Sequence, residues 1–215
     1  LSKANIKFVG SHAGVSIGED GGSQMGLEDI AMFGAIFDSV VLHPCDVVSA
    51  SKLLPLMAQH KGISYLRTLR SKTPVLYGEQ EEFAIGGSKV LRSSEEDQVC
   101  ILACGITIHE ALKAYEELKK ERISVSVIDC YSLKPLDKKT IEQYGNKTMK
   151  VITVEDHFEH GGLGDFVSSA LATTGILVHK MAVSKMPCSG NKDELLNYMG
   201  INSGHIVTKV KEMLQ

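Results

Sequence analysis

His12, Asp20 and Arg70 have the chemistry to hold a phosphorylated polyol. An arginine presents a planar fork of donors that grips a phosphate bidentately, which a lysine cannot do. An imidazole donates to the same anion or to a hydroxyl, and a carboxylate accepts from a sugar hydroxyl. His12 and Asp20 lie in GSHAGVSIGEDGGSQMGLEDIAMF, where Gly14, Gly18, Gly21 and Gly22 permit positive φ and a close approach of backbone to a ligand. Asp46 and Arg67 are further candidates for the same edge. On spacing alone, the same residues also fit a glycine-rich corner flanked by solvated arginines.

A parallel sheet would bring these side chains together, because ligands of such folds bind outside the carboxyl ends of the strands. Short β-rich runs alternate with helical patterns along the chain, which predicts βα units. IKFVGS and SVVLHP read as strands separated by a helix from about Ser23 to Phe37. A second helix spans Val47 to Gln59 with Asp46 as its N-cap, and GISYLRT is the third strand. His12 then follows the first strand, Asp46 the second, and Arg67 and Arg70 end the third, while Asp20 stands in the loop leading to the first helix. Pro55 removes a donor inside the second helix and is expected to kink it or shift its start.

Residues 77–97 read as a linker, polar and acidic, with SKVLRS its one strand-like run. A fresh series follows, with strands Val99–Cys104, Ser124–Cys130, Val151–Glu155 and Leu177–Val183. Helices are expected over Ile108–Glu121, from Asp137, and over Gly164–Thr173, Asp193–Met199 and Gly204–Leu214. Lys134 to Asp137 reads as a turn followed by an N-cap. The expectation is an α/β chain of two βα-layered domains with mainly parallel sheets, residues 1–76 and 98–215.

The 215 residues carry a net charge of −3 and no block of Lys or Arg, which argues against nucleic acid or an anionic membrane as the main partner. No apolar run approaches a membrane span and the opening lacks a secretory layout, so a cytoplasmic location is expected. With no initiator Met and strand-like sequence from residue 6, the chain reads as the latter part of something longer. Cys45, Cys100, Cys104, Cys130 and Cys188 are odd in number without a C-x-x-C pair, and read as buried apolar residues. VEDHFEHGGLGDF offers Asp156, His157 and His160 as ligand types, but its G-G-x-G order is not a dinucleotide fingerprint, and a strand-to-helix turn near an interface is expected.

GSHAGVSIGEDGGSQMGLEDIAMF, YLRTLR, SLKPLD and TVEDHFEHGGLGD, in that order, resemble transketolase in its animal-type form, and the likeness runs through the whole chain. The resemblance implies the last stretch of the family's pyrimidine-binding domain, a linker and the C-terminal domain. It implies thiamine diphosphate and Mg²⁺ as cofactors, and transfer of a two-carbon ketol unit from a ketose phosphate to an aldose phosphate in the pentose phosphate pathway. His12 and Arg70 resemble the family's contacts to the substrate phosphate, Asp20 the aspartate at the donor's C2 hydroxyl, and Gln24 a residue beside thiamine diphosphate. The family's cofactor-activating glutamate, with the aromatic residue on the pyrimidine ring, belongs upstream of Leu1, and no GDG-plus-Asn segment for the metal and diphosphate occurs. The segment alone is therefore expected to be inactive, with no catalytic or metal-binding residue of its own. Gly22 and Ser71 stand where prolines are common, which leaves open altered affinity or a paralogue without activity. Sugar phosphates as substrates and a homodimer as the assembly are implied. The competing readings are a related thiamine enzyme (a 2-oxo acid dehydrogenase β subunit or deoxyxylulose-phosphate synthase) and a noncatalytic assembly subunit.

Overall fold

Two α/β layers carry the chain in the computed structural model, which describes residues 4–215; the first three residues of the expected first domain lie outside it. The first layer begins with β1 (Lys7–Gly10), α1 (Asp29–Gly34), β2 (Val40–Leu42), α2 (Val47–Gln59) and β3 (Ser64–Arg67). β1 and β2 both pair in parallel with β3, so the carboxyl ends of these strands share one edge. The chain continues through β4 (Lys89–Arg92), β5 (Val99–Ala103), α3 (Thr107–Lys120), β6 (Val125–Asp129), β7 (Ser132–Lys134) and α4 (Lys138–Thr148). It ends with β8 (Lys150–Phe158), α5 (Leu163–Leu171), β9 (Leu177–Val183), α6 (Lys192–Tyr198) and α7 (Ser203–Leu214). The second sheet has the order β4-β6-β5-β8-β9, parallel except at β4, so both sheets are mainly parallel as expected.

The strand-like run inside the expected linker is the antiparallel edge of the second sheet. β7, whose last residue Lys134 the sequence presented as the start of a turn, pairs antiparallel with β2 of the first sheet. Three residues followed by Pro135 are too short to show a period. Asp46 caps α2 as expected, accepting from the Ser49 amide at 2.7 Å, and the helix runs on through Pro55 without a shifted start.

The expected helix from Ser23 to Phe37 is a correction. Two short 3-10 turns, Val15–Ile17 and Gly22–Gln24, precede a six-residue α1. The Gly26 amide donates to His12 O at 2.9 Å and the Gly14 amide to Gly26 O at 2.8 Å, which draws the chain back to the end of β1 before a helix can start. Val15, Ile17, Met25 and Leu27 of this loop are buried in one core with Ile101, Val154, Leu195 and Ile206 of the second layer. Four cysteines are buried, but Cys188 is exposed in irregular chain between β9 and α6, so the expectation of five buried cysteines fails there. No helix among the described residues is long and apolar enough to cross a membrane.

Candidate functional site

The loop after β1 rises over the carboxyl edge of the first sheet and lies against the second layer. His12 opens it with φ of 68°, a left-handed conformation held by the Gly26 amide on its carbonyl and by Ala13 N–H donating to Thr68 O. Such a conformation is unfavourable by about 1–2 kcal/mol for a residue with a Cβ, and strain of this kind clusters at functional sites. The half-buried imidazole has its Nδ1 2.6 Å from Ser11 Oγ. Gln24 ends the second 3-10 turn with an exposed side chain.

Asp20 is exposed and its carboxylate pairs with the guanidinium of Arg70, itself exposed. The sequence separates the two by fifty positions, and the fold brings them together. Among the described residues, neither His12 nor Gln24 hydrogen-bonds to this pair. The pair lies on one wall of an open cleft of about 410 Å³, whose other wall is Asn191, Lys192 and Asp193 at the start of α6. An exposed pair contributes only about 0–1 kcal/mol, so separating the two side chains costs little.

Arg67, three residues earlier, does not belong to this edge. It is 1% exposed and donates from Nε to Asp29 Oδ2 at 2.8 Å and from Nη2 to Gly26 O at 2.6 Å and Asp156 O at 3.0 Å. Its Nη1 lies 3.0 Å from His43 Nε2. Burial alone would raise the Asp29 carboxyl, but the Arg67 charge and hydrogen bonds from Arg67 and Tyr65 hold it at about 2. Burial and then Arg67 push His43 down to about 3 and His157 to about 4, so both rings are neutral members of the core. Asp46 is likewise structural, its second oxygen accepting from the Leu76 and Tyr77 amides at 2.8 and 3.1 Å.

Asp156, offered by the sequence only as a ligand type, instead clamps the loop after β1. Completely buried two residues before the end of β8, it accepts from the Val15 amide at 2.7 Å and the Ser16 amide at 3.0 Å. Burial raises its carboxyl, opposed by Arg67 and by those amides. A carboxylate in a buried strand with no cation nearby in sequence was the one available signal. Its neighbour Glu155 turns the other way and caps α5, accepting from Leu163 and Gly164 at 2.6 and 2.8 Å. His160 is exposed beside Glu159, so the ligand types of this segment do not converge, and the described residues contain no group of three or more His, Cys, Asp or Glu able to hold a metal.

A second buried acid joins the layers. Asp129 Oδ2 accepts from Tyr77 OH at 2.7 Å and Cys45 Sγ at 3.3 Å, while Oδ1 has no partner. Burial lifts this carboxyl to about 7 despite those donors. Folded, Asp129 keeps its proton to near neutrality; unfolded, it releases it near pH 3.9. Its contribution is therefore complete below about pH 4 and is lost as pH rises through 7. Asp129→Asn, an amide that never ionises, gains on the parent between those limits by at most about 1.4 kcal/mol per pH unit. Thermal unfolding of both proteins at pH 5 and pH 8 checks this, and a difference independent of pH contradicts it.

A family model described as the transketolase C-terminal domain matches residues 88–206, and one described as the transketolase pyrimidine binding domain matches residues 1–75. Transketolase-like protein 2 of Mus musculus is 47% identical over 214 residues, which are 99% of this chain and 34% of that protein. Transketolase of Homo sapiens is 44% identical over 216 residues, 100% of this chain and 35% of that one. The chain thus spans about a third of the length of these curated relatives. A solved structure titled "Split gene transketolase, inactive beta4 tetramer" superposes with a TM-score of 0.86 at 30% identity, covering 98% of this chain and 66% of that chain. Transketolase from Campylobacter jejuni, at 21% identity and a TM-score of 0.77 over 96% of this chain and 31% of that one, shares the fold.

Proposed function

The chain belongs to the transketolase family, and we propose that it recognises the sugar phosphates of a ketol transfer dependent on thiamine diphosphate. The observation that carries this reading is the exposed Asp20–Arg70 pair on the wall of an open cleft. When Arg70 turns to a phosphate, the Asp20 carboxylate is released to accept from a hydroxyl of the same sugar. A donor lacking that hydroxyl leaves the carboxylate unpaired, which is how such a site discriminates. His12, its ring beside Ser11, supplies a further donor to the phosphate. Holding the far end of the sugar converts remote binding energy into orientation at the reacting carbon.

Thiamine diphosphate, when bound, stabilises the carbanion of the transfer. Gln24, exposed on the turn after Asp20, is this chain's candidate to face it. Among the described residues no group of three or more His, Cys, Asp or Glu fits the metal of the cofactor. The activity is assigned to the pentose phosphate pathway in the cytoplasm, by a homodimer. Phe8 and Val9 on edge strand β1 and Met32 on α1 are exposed, as expected of a surface that assembly covers.

A second reading is a paralogue or partner subunit without this activity. Its support is likeness at 46–47% identity to proteins named transketolase-like, beside 44–45% to those named transketolase, and the fold shared with a split-gene transketolase tetramer titled inactive. Arg70→Ala in the intact protein tests the first reading. Loss of a charged hydrogen bond, about 1.5–3 kcal/mol, raises KM for sugar phosphates roughly 10- to 100-fold. The unfolding temperature stays put because the pair is exposed. An unchanged KM removes the assignment of Arg70, and an intact parent that transfers no ketol unit favours the second reading.

A further inference from the structure

We propose that Asp156, in the second layer, is a positioning residue for sugar recognition: by holding the Val15 and Ser16 amides it fixes where Asp20 stands. The proposal rests on the reading of Asp20 given above. The loop is tied to the first layer at its base, through His12, Ala13 and Gly26, at Ser16 O, which accepts from Ser71 Oγ at 3.4 Å, and at Asp20, through its exposed pair with Arg70. Its body is tied to the second layer. The Asp156 carboxylate accepts from two successive amides, Val15 at 2.7 Å and Ser16 at 3.0 Å, and a Cβ on Gly14 would overlap that carboxyl.

Further along, a Cβ on Gly18 would stand 3.2 Å from Gly190 O, and one on Gly22 3.1 Å from Pro187 O. The backbone on both sides of Asp20 is therefore laid against chain from the second layer. Asp156 does not line the cleft and does not touch Asp20, so its influence passes through the loop. Two amides demand two acceptors. A carboxylate provides both, whereas an amide would turn an N–H toward one of them.

The second layer on this view shares in donor selection, and that is testable in the intact protein by combining Asp156→Asn with Asp20→Ala. Asp156→Asn raises KM for the ketose phosphate about tenfold, since small misplacements at a recognition group have effects of that order, and it weakens discrimination against donors lacking the hydroxyl. In the Asp20→Ala background the same change adds nothing to KM, because the group it positions is gone. Multiplicative effects on KM, or a lowered unfolding temperature with KM and discrimination intact, overturn the proposal. If Asp156→Asn does not fold, Val15→Pro removes one donor at the first position of the 3-10 turn, where proline is tolerated, and leaves Asp156 in place. The same rise in KM is expected, and an unchanged KM refutes the proposal. Failure of the underlying reading looks different: Asp20→Ala alone then leaves KM and discrimination unaltered.

Discussion

Replacing Arg67 by methionine destabilises the protein by about 3–5 kcal/mol, the range for removing one partner of a buried charge pair. The methionine fills much of the space but donates nothing. Asp29 loses its closest cation, Asp156 O loses the Arg67 donor, and Gly26 O keeps only the Gly14 amide. The Asp156 carbonyl, deprived of that donor in a fully buried residue, adds to the loss. At about 2–4 °C per kcal/mol for a domain of this size, the unfolding temperature falls by roughly 6–20 °C. Lysine does not rescue it, because one ammonium cannot span donors placed as Nε, Nη1 and Nη2 are. The acid limb changes too. Asp29, held at about 2 in the fold, contributes stability above about pH 3.9 that is lost as pH falls through 2, and without Arg67 that contribution shrinks. An Arg67→Met protein melting within a few degrees of the parent would sink the claim that this residue joins the two layers.

Arg67 and Arg70 also show where the sequence could be read and where it could not. Both were visible as arginines at the end of a strand, yet one is 1% exposed and the other lies in solvent. β3 is buried on both faces, so alternation, the signal that separates inside from outside, is absent from it. Where period and capping chemistry are local the reading succeeds. β9 spans Leu177–Val183 as expected, and Asp46 and Asp137 cap α2 and α4. Long-range geometry is another matter. Asp156 serves amides 141 and 140 positions earlier, and nothing in VEDHFEHGG points to them. The glycine loop was legible as flexible chain with ligand-binding residues, but its return to β1 through Gly26 depends on the first and third strands being neighbours. Asp20 and Arg70 meet for the same reason.

Gly14→Ala is expected to be nearly as damaging as the loss of Arg67, though the change is a single methyl group. Gly14 has φ of 70° and ψ of −173°, a combination almost confined to glycine, and an alanine there incurs strain of about 1–3 kcal/mol. The methyl would also occupy the volume of the Asp156 carboxyl. That carboxyl is buried with no free space, so it must leave the Val15 and Ser16 amides, exchanging two charge-assisted hydrogen bonds for an unsatisfied buried anion. Strain and desolvation together reach about 4 kcal/mol, a loss that needs a specific structural cause. Gly175→Ala separates the two contributions, because Gly175 has φ of 76° with nothing within 4 Å of an added Cβ. It pays conformation alone, about 1–2 kcal/mol. Unfolding of the two variants under one set of conditions should therefore leave Gly14→Ala less stable by about 2 kcal/mol or more, the value of the carboxylate's two hydrogen bonds. Equal losses would mean that Asp156 moves aside freely, and that its hold on the loop is weak. A clear gap, with hydrogen exchange at Val15 and Ser16 accelerated in Gly14→Ala and not in Gly175→Ala, would locate the extra loss at the clamp between the layers.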